Sequence, residues 1–141
     1  MGNELTFEQR ALLGKAREAA RHAYAPASGF KVGAALVTLS GKVFTGCNVE
    51  SSAYSISICA ERVALYKAVS EGQCDFSDLL VVAQDGEEDS PPCGACRQAL
   101  VEFSPEMRVT FRENGQFVTR KLSDLLPEAF GWKKGEHGRL V

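Results

Sequence analysis

The chain has 141 residues, 45% hydrophobic and 24% charged, which is enough for one soluble domain around one core and too little for two. Sixteen basic side chains against eighteen acidic ones leave a net charge of −2, excluding the basic footprint of a protein built on nucleic acid phosphates. The longest apolar run, Val32 to Leu39, is broken by Gly33 and Thr38 and falls short of a membrane span. Met1-Gly2-Asn3-Glu4 lacks the basic region of a secretion signal, so no membrane partner and a cytoplasmic location are expected.

Thr6 meets the letter of a lipidation pattern with Gly2, but Thr6-x-x-Gln9 is also a capping box, and the cap is the reading taken. It opens a helix from Phe7 to about Tyr24, ended by Pro26 and Gly29. Lys31 to Leu39 and Lys42 to Cys47 read as two strands around a two-residue turn at Ser40-Gly41. Ile58 to Val69 returns to helical spacing and stops near Gly72; Leu79 to Ala83 is a short strand followed by an acidic loop ending in Pro91-Pro92. Ala95 to Phe103 is helical, Arg108 to Arg112 and Gln116 to Lys121 are strands flanking Asn114-Gly115, and a short helix spans Ser123 to Leu126. No repeat or linker divides residues 1–141, which read as a single domain. The order αββαβαββα predicts a three-layer α/β/α sandwich with a hairpin at the start of its sheet; the direction of the last strand is left open.

Five cysteines without a secretion signal argue against a disulfide framework. Taken alone, Cys93-Gly94-Ala95-Cys96 reads as a redox pair, half of a metal site, or chance. His22 and His137 have no metal-ligand spacing, and Cys47 and Cys74 read as small apolar residues. Cys59, in Cys59-Ala60-Glu61, stands at the start of the other central helix. Three thiolates from two helix N-termini can bind zinc tetrahedrally with one position open, the mark of a catalytic rather than a structural ion. Helix starts carry partial positive charge, which favours the thiolate. A zinc ion with three thiolates is anionic and needs donors nearby; Arg62 is the first candidate to donate to a ligand sulfur and Arg97 the second.

A zinc ligand, one residue, then Glu, followed later by Pro-Cys-x-x-Cys, resembles the zinc-dependent nucleobase deaminases. The chain resembles more particularly the small homotetrameric cytidine deaminases of the cytidine/deoxycytidylate deaminase superfamily. The likeness runs through Tyr24-Ala25-Pro26, Phe30 to Ala35, Asn48-Val49-Glu50, Ile58 to Arg62, Pro92 to Gln98, Leu125-Leu126-Pro127 and Ala129-Phe130-Gly131. It covers residues 7–131 and leaves a polar tail, 132–141. It implies a central mixed five-stranded sheet, one Zn2+ per chain on Cys59, Cys93 and Cys96, and a homotetramer whose active sites are completed by neighbouring subunits. The implied reaction is hydrolytic deamination of cytidine and 2′-deoxycytidine in pyrimidine salvage, with zinc activating the water and Glu61 shuttling protons.

By the same resemblance the Ala60 backbone contacts the base, and Phe30 packs beside the pyrimidine. Phe130 reaches over the base from a neighbouring subunit, and Tyr54 lies at the interface near the sugar. Residues i and i+2 of a strand point to one side, so Asn48 and Glu50 can converge on one small polar group; in the family it is the ribose 3′-hydroxyl. Ala27 replaces a common tyrosine, and Ser51-Ser52, Ser55 and Ser57 also depart from the family pattern. A blasticidin S-type antibiotic deaminase, a polynucleotide cytosine deaminase and a non-catalytic zinc module are the competing readings. Retention of Glu50 argues against the first and the acidic balance against the second, so a pyrimidine nucleoside and no nucleic acid is the expected partner.

Overall fold

The computed structural model describes residues 4–132. Gly2, His137 and all of the polar tail except Trp132 lie outside the described residues. The first helix, α1, spans Phe7–Ala20, and its capping box is formed: Thr6 Oγ1 accepts from Gln9 N (3.1 Å) and Gln9 Oε1 from Thr6 N (2.9 Å). The Gln9 side chain also donates to the Thr110 and Thr119 hydroxyls, tying the helix start to the far strands. α1 ends before Tyr24, because Tyr24 is recruited into a bridge with Val49: its N–H donates to Asn48 O and its carbonyl accepts from Glu50 N.

Strands β1 (Val32–Thr38) and β2 (Val43–Cys47) form the expected hairpin. Its turn is longer than the predicted two residues. Leu39, Ser40 and Gly41 close it, with Gly41 at φ 94° donating to Thr38 O and Thr38 N donating to Lys42 O. Helix α2 (Ala60–Ser70) starts two residues later than its periodicity suggests, since Ile58 pairs with Val49 through two backbone hydrogen bonds of 2.9 Å. Strand β3 (Phe76–Ala83), helix α3 (Gly94–Val101), strands β4 (Arg108–Glu113) and β5 (Gln116–Lys121), and the short α4 (Leu122–Leu125) follow. Asn114 and Gly115, at φ 52° and 78°, make the tight turn that sets β5 antiparallel to β4.

The sheet order is β2-β1-β3-β4-β5, mixed, with β3 and β4 its one directly bonded parallel pair. Side-chain alternation splits the core. Ala35, Leu80 and Val82 pack on Ala16 of α1, whereas Ala34, Leu36, Leu79 and Val81 pack under α2 and α3. Three layers result, as expected. Because β2 and β3 both run antiparallel to β1, they run the same way. Each then delivers its chain to a helix on the same face, which puts the starts of α2 and α3 at one edge of the sheet. No helix among the described residues is long and apolar enough to cross a membrane.

Two glycines set the helix heights. A Cβ on Gly33 would collide with the carbonyl of Ala16 in α1, and one on Gly46 would meet Ala64 N of α2 at 2.6 Å. Gly33→Ala should therefore lower stability by about 1–3 kcal/mol, since α1 must lift from the sheet. Urea denaturation checks this; an unchanged midpoint would show that the helix has slack.

Candidate active site

Cys59 is the N-cap residue of α2 and Cys93 that of α3; Cys96 sits in the first turn of α3, fully buried. Neither helix start has a side-chain cap. The positive end of each helix favours the nearby sulfur as thiolate. The three Sγ atoms lie within 4.8 Å of one another, and Cys59 Sγ is 3.7 Å from Cys93 Sγ. Tetrahedral zinc with bonds of about 2.3 Å requires sulfurs about 3.8 Å apart. The donor set fits zinc, and with three protein ligands a fourth position remains for water or substrate. It is the one such cluster among the described residues.

Arg62 Nη2 donates to Cys59 Sγ at 3.6 Å, and its Nε is buried without a partner among the described residues, so the cation faces the sulfur cluster. The neighbouring Cys96 thiol, with Arg62 and Cys93 adding to its effect, lowers the Cys59 thiol to about 5 against partial burial. Cys96 is pushed up by its contact with Cys59 and by burial. The sequence-based role of Arg97 changes. It donates to no sulfur; Nε donates to Pro92 O (2.8 Å) and Nη1 to Leu125 O (2.9 Å). Arg97 follows Cys96 by one residue in α3, and that step turns its side chain onto the Pro92 carbonyl next to Cys93. It thus braces the ligand loop instead of the ligand.

Cys59 and Cys93 line a cleft of about 340 Å³ together with Glu61, Ala60 and Phe30. Glu61, at 4% exposure, is nearly sealed in its wall, and burial raises its carboxyl to about 7. Asn48 and Glu50 also line the cleft. Asn48 does more than its sequence position suggests: Oδ1 accepts from Val32 N and Nδ2 donates to Phe30 O, both at 2.8 Å. One proton on Nδ2 and one lone pair on Oδ1 are left over. Glu50 accepts from Ala27 N (2.9 Å) and Ser28 N (3.1 Å) on one oxygen and from the Ser28 hydroxyl on the other, and these bonds lower its pKa.

Comparison with known proteins gives this arrangement its family. Residues 7–112 match the family model described as "Cytidine and deoxycytidylate deaminase zinc-binding region". The chain belongs to the cytidine and deoxycytidylate deaminase family. A cytidine deaminase of Sporosarcina psychrophila is 45% identical over 121 residues, covering 84% of this chain and 88% of its own. The crystal structure of cytidine deaminase from Burkholderia pseudomallei superposes with a TM-score of 0.80 at 44% identity, covering 89% of this chain and all of that one. A blasticidin-S deaminase of Bacillus cereus is 30% identical over 103 residues, covering 68% of this chain and 74% of its own.

As a member of the deaminase family, the chain leaves two expected site residues outside its own cleft. Tyr54, in a 3-10 turn at Tyr54–Ile56, is 78% exposed, and Phe130 is 84% exposed with its carbonyl accepting from Gln98 Nε2 at 2.8 Å. Sequence reading had missed Ser28, Asp89 and Ser90, which also line the cleft. Asp89 holds the β4–β5 turn through Asn114 N and Gly115 N, and Ser90 Oγ donates to Val81 O. No local signal marks Asp89 and Ser90, because the partners named lie 9 to 26 residues away, and the bond from Ser28 to Glu50 spans 22.

Cys93→Ala should bring the zinc content well below one per chain, measured by atomic emission on purified protein; an intact metal count would remove Cys93 from the ligand set. Arg97→Ala should weaken zinc by about 10–100-fold in chelator competition, because the ligand loop loses its brace.

Proposed function

We propose that the chain hydrolyses cytidine and 2′-deoxycytidine to uridine and 2′-deoxyuridine with release of ammonia. It does so as a cytoplasmic homotetramer of one domain per chain, in pyrimidine salvage. One observation carries the reading: a cleft lined by Cys59 and Cys93, two of three converging sulfurs, also holds the buried carboxyl of Glu61 together with Asn48 and Glu50. Zinc, when bound, supplies a water acidic enough to give up its proton near neutral pH.

Glu61 moves the protons. As carboxylate it takes a proton from the attacking water at a carboxyl oxygen and passes it to ring N3 while the water oxygen bonds C4. It then takes the second proton of that oxygen and delivers it to the C4 amine, so that the C4–N bond breaks, ammonia leaves and the C4 carbonyl forms. A carboxyl held near 7 can both accept and return a proton at neutral pH, which one at 4.5 does poorly. The walls of the pocket around Glu61 limit competing water, and Ala60 presents backbone to the base. Phe30 packs beside the pyrimidine. Glu50 accepts from the sugar 3′-hydroxyl, and the spare Asn48 N–H donates to it. A contact at the 3′ position does not sense the 2′ position, so both nucleosides are substrates. Tyr54 and Phe130, exposed on their own chain, serve the clefts of neighbouring subunits.

Among the described residues the cleft lining includes Glu50, Glu61 and Asp89 and no lysine or arginine, which supports a neutral nucleoside over a phosphorylated one. Ammonia release from cytidine, 2′-deoxycytidine, deoxycytidylate and blasticidin S on one zinc-loaded sample tests the assignment. Turnover of the first two is expected; turnover of blasticidin S without cytidine would favour the antibiotic deaminase. Glu61→Gln should keep its zinc and lose about 10²–10⁴-fold or more in turnover, and near-normal turnover would remove Glu61 from the proton path.

A further inference from the structure

Ser28 lies two residues before Phe30, in the loop that leads into β1, and has no role in the mechanism above. Its hydroxyl stands between two groups of the cleft. It donates to one Glu50 carboxylate oxygen and accepts from Phe30 N–H at 3.0 Å. The carboxylate can only accept and the amide can only donate, so the direction of both bonds, and hence the hydroxyl rotor, is fixed. Gly29, at φ 69°, folds the loop back so that Phe30 N–H reaches the serine, and Gly29 N–H donates to Ala25 O at 2.9 Å.

The loop engages Glu50 completely on its own side. Ala27 N–H and Ser28 N–H occupy the second carboxylate oxygen, so three of about four acceptor sites are taken. One site remains, and its direction is set by the other three. No cation sits among the donors, so the carboxylate keeps its full charge for a substrate hydroxyl. Phe30 is pinned from the other side by Asn48 Nδ2 on its carbonyl.

We infer that Ser28 is the positioning residue of the sugar end: one hydroxyl fixes both the carboxylate that reads the 3′-hydroxyl and the backbone of the aromatic wall beside the base. The inference deepens the nucleoside reading and rests on it. Ser28→Ala frees Glu50 to turn and strips Phe30 N–H of its acceptor, while leaving the sulfur cluster and Glu61 untouched.

The test uses steady-state kinetics of the zinc-loaded wild type, Ser28→Ala and Ser28→Thr on cytidine and on 3′-deoxycytidine, with zinc content measured on each. Ser28→Ala should raise KM for cytidine by about 10–100-fold, the worth of a charge-assisted hydrogen bond, with kcat within about threefold. The loss on 3′-deoxycytidine should be smaller by about tenfold, since that substrate makes no 3′ contact. Ser28→Thr, which keeps the hydroxyl, should retain the cytidine KM, and zinc should stay at one per chain. Equal losses on the two substrates, a loss confined to kcat, or a folded Ser28→Thr variant with the alanine phenotype would overturn the role of Ser28. A wild type that treats the two substrates alike would overturn the sugar reading of Glu50 and the role of Ser28 with it; a wild type that discriminates while Ser28→Ala discriminates equally would overturn Ser28 alone.

Discussion

Two helix starts meeting at one sheet edge are the constraint on which the rest of this molecule depends. α2 and α3 each begin on a cysteine that occupies the N-cap position, and each leaves its first-turn N–H groups without a side-chain cap. The positive ends of two helices thus face each other across 3.7 Å of sulfur–sulfur distance. Without negative charge between them the arrangement is unfavourable; thiolate satisfies it, and a divalent cation then holds the thiolates together. Arg62 adds its own positive charge on the same side, so the protein stabilises sulfur anions from three directions.

Burial does the complementary work at Glu61. The same turn of α2 that places Cys59 at the helix start carries the carboxyl two residues on, into the wall of the cleft, where loss of water raises it to about 7. Two positions separated by one residue therefore shift in opposite directions: Cys59 is lowered and Glu61 raised. The difference comes from partners. Cys59 receives donors, whereas the dominant effect on Glu61 is desolvation.

The cleft lining at Asn48 and Glu50 is built differently, from extended backbone and loop. Asn48 spends half of its hydrogen-bonding capacity holding residues 30–32 in place, and Glu50 is gripped by the loop ahead of β1. Both residues thus hold the loop and line the cleft at once. Neighbouring contacts are made by Arg97, which joins the Pro92 carbonyl to the Leu125 carbonyl and so links the ligand loop to the C-terminal segment.

Much of this was legible in the sequence because it is local. The Thr6–Gln9 capping box, the Asn114-Gly115 turn, the C-x-x-C of α3 and the Cys59–Glu61 spacing are short-range patterns whose geometry follows from helix and turn periodicity. The sulfur cluster was readable for the same reason, once the sequence's likeness to a deaminase joined Cys59 to a pair that starts 34 residues away. What only tertiary structure decided are the non-local pairings. Tyr24 and Ile58 are drawn out of their helices by Val49, Arg97 turns to carbonyls, Ser28 docks on Glu50, and Tyr54 and Phe130 are left exposed on their own chain. The chain segments they join are brought together by a strand order, β2-β1-β3-β4-β5, set by how whole faces bury together, which no window of neighbouring residues encodes.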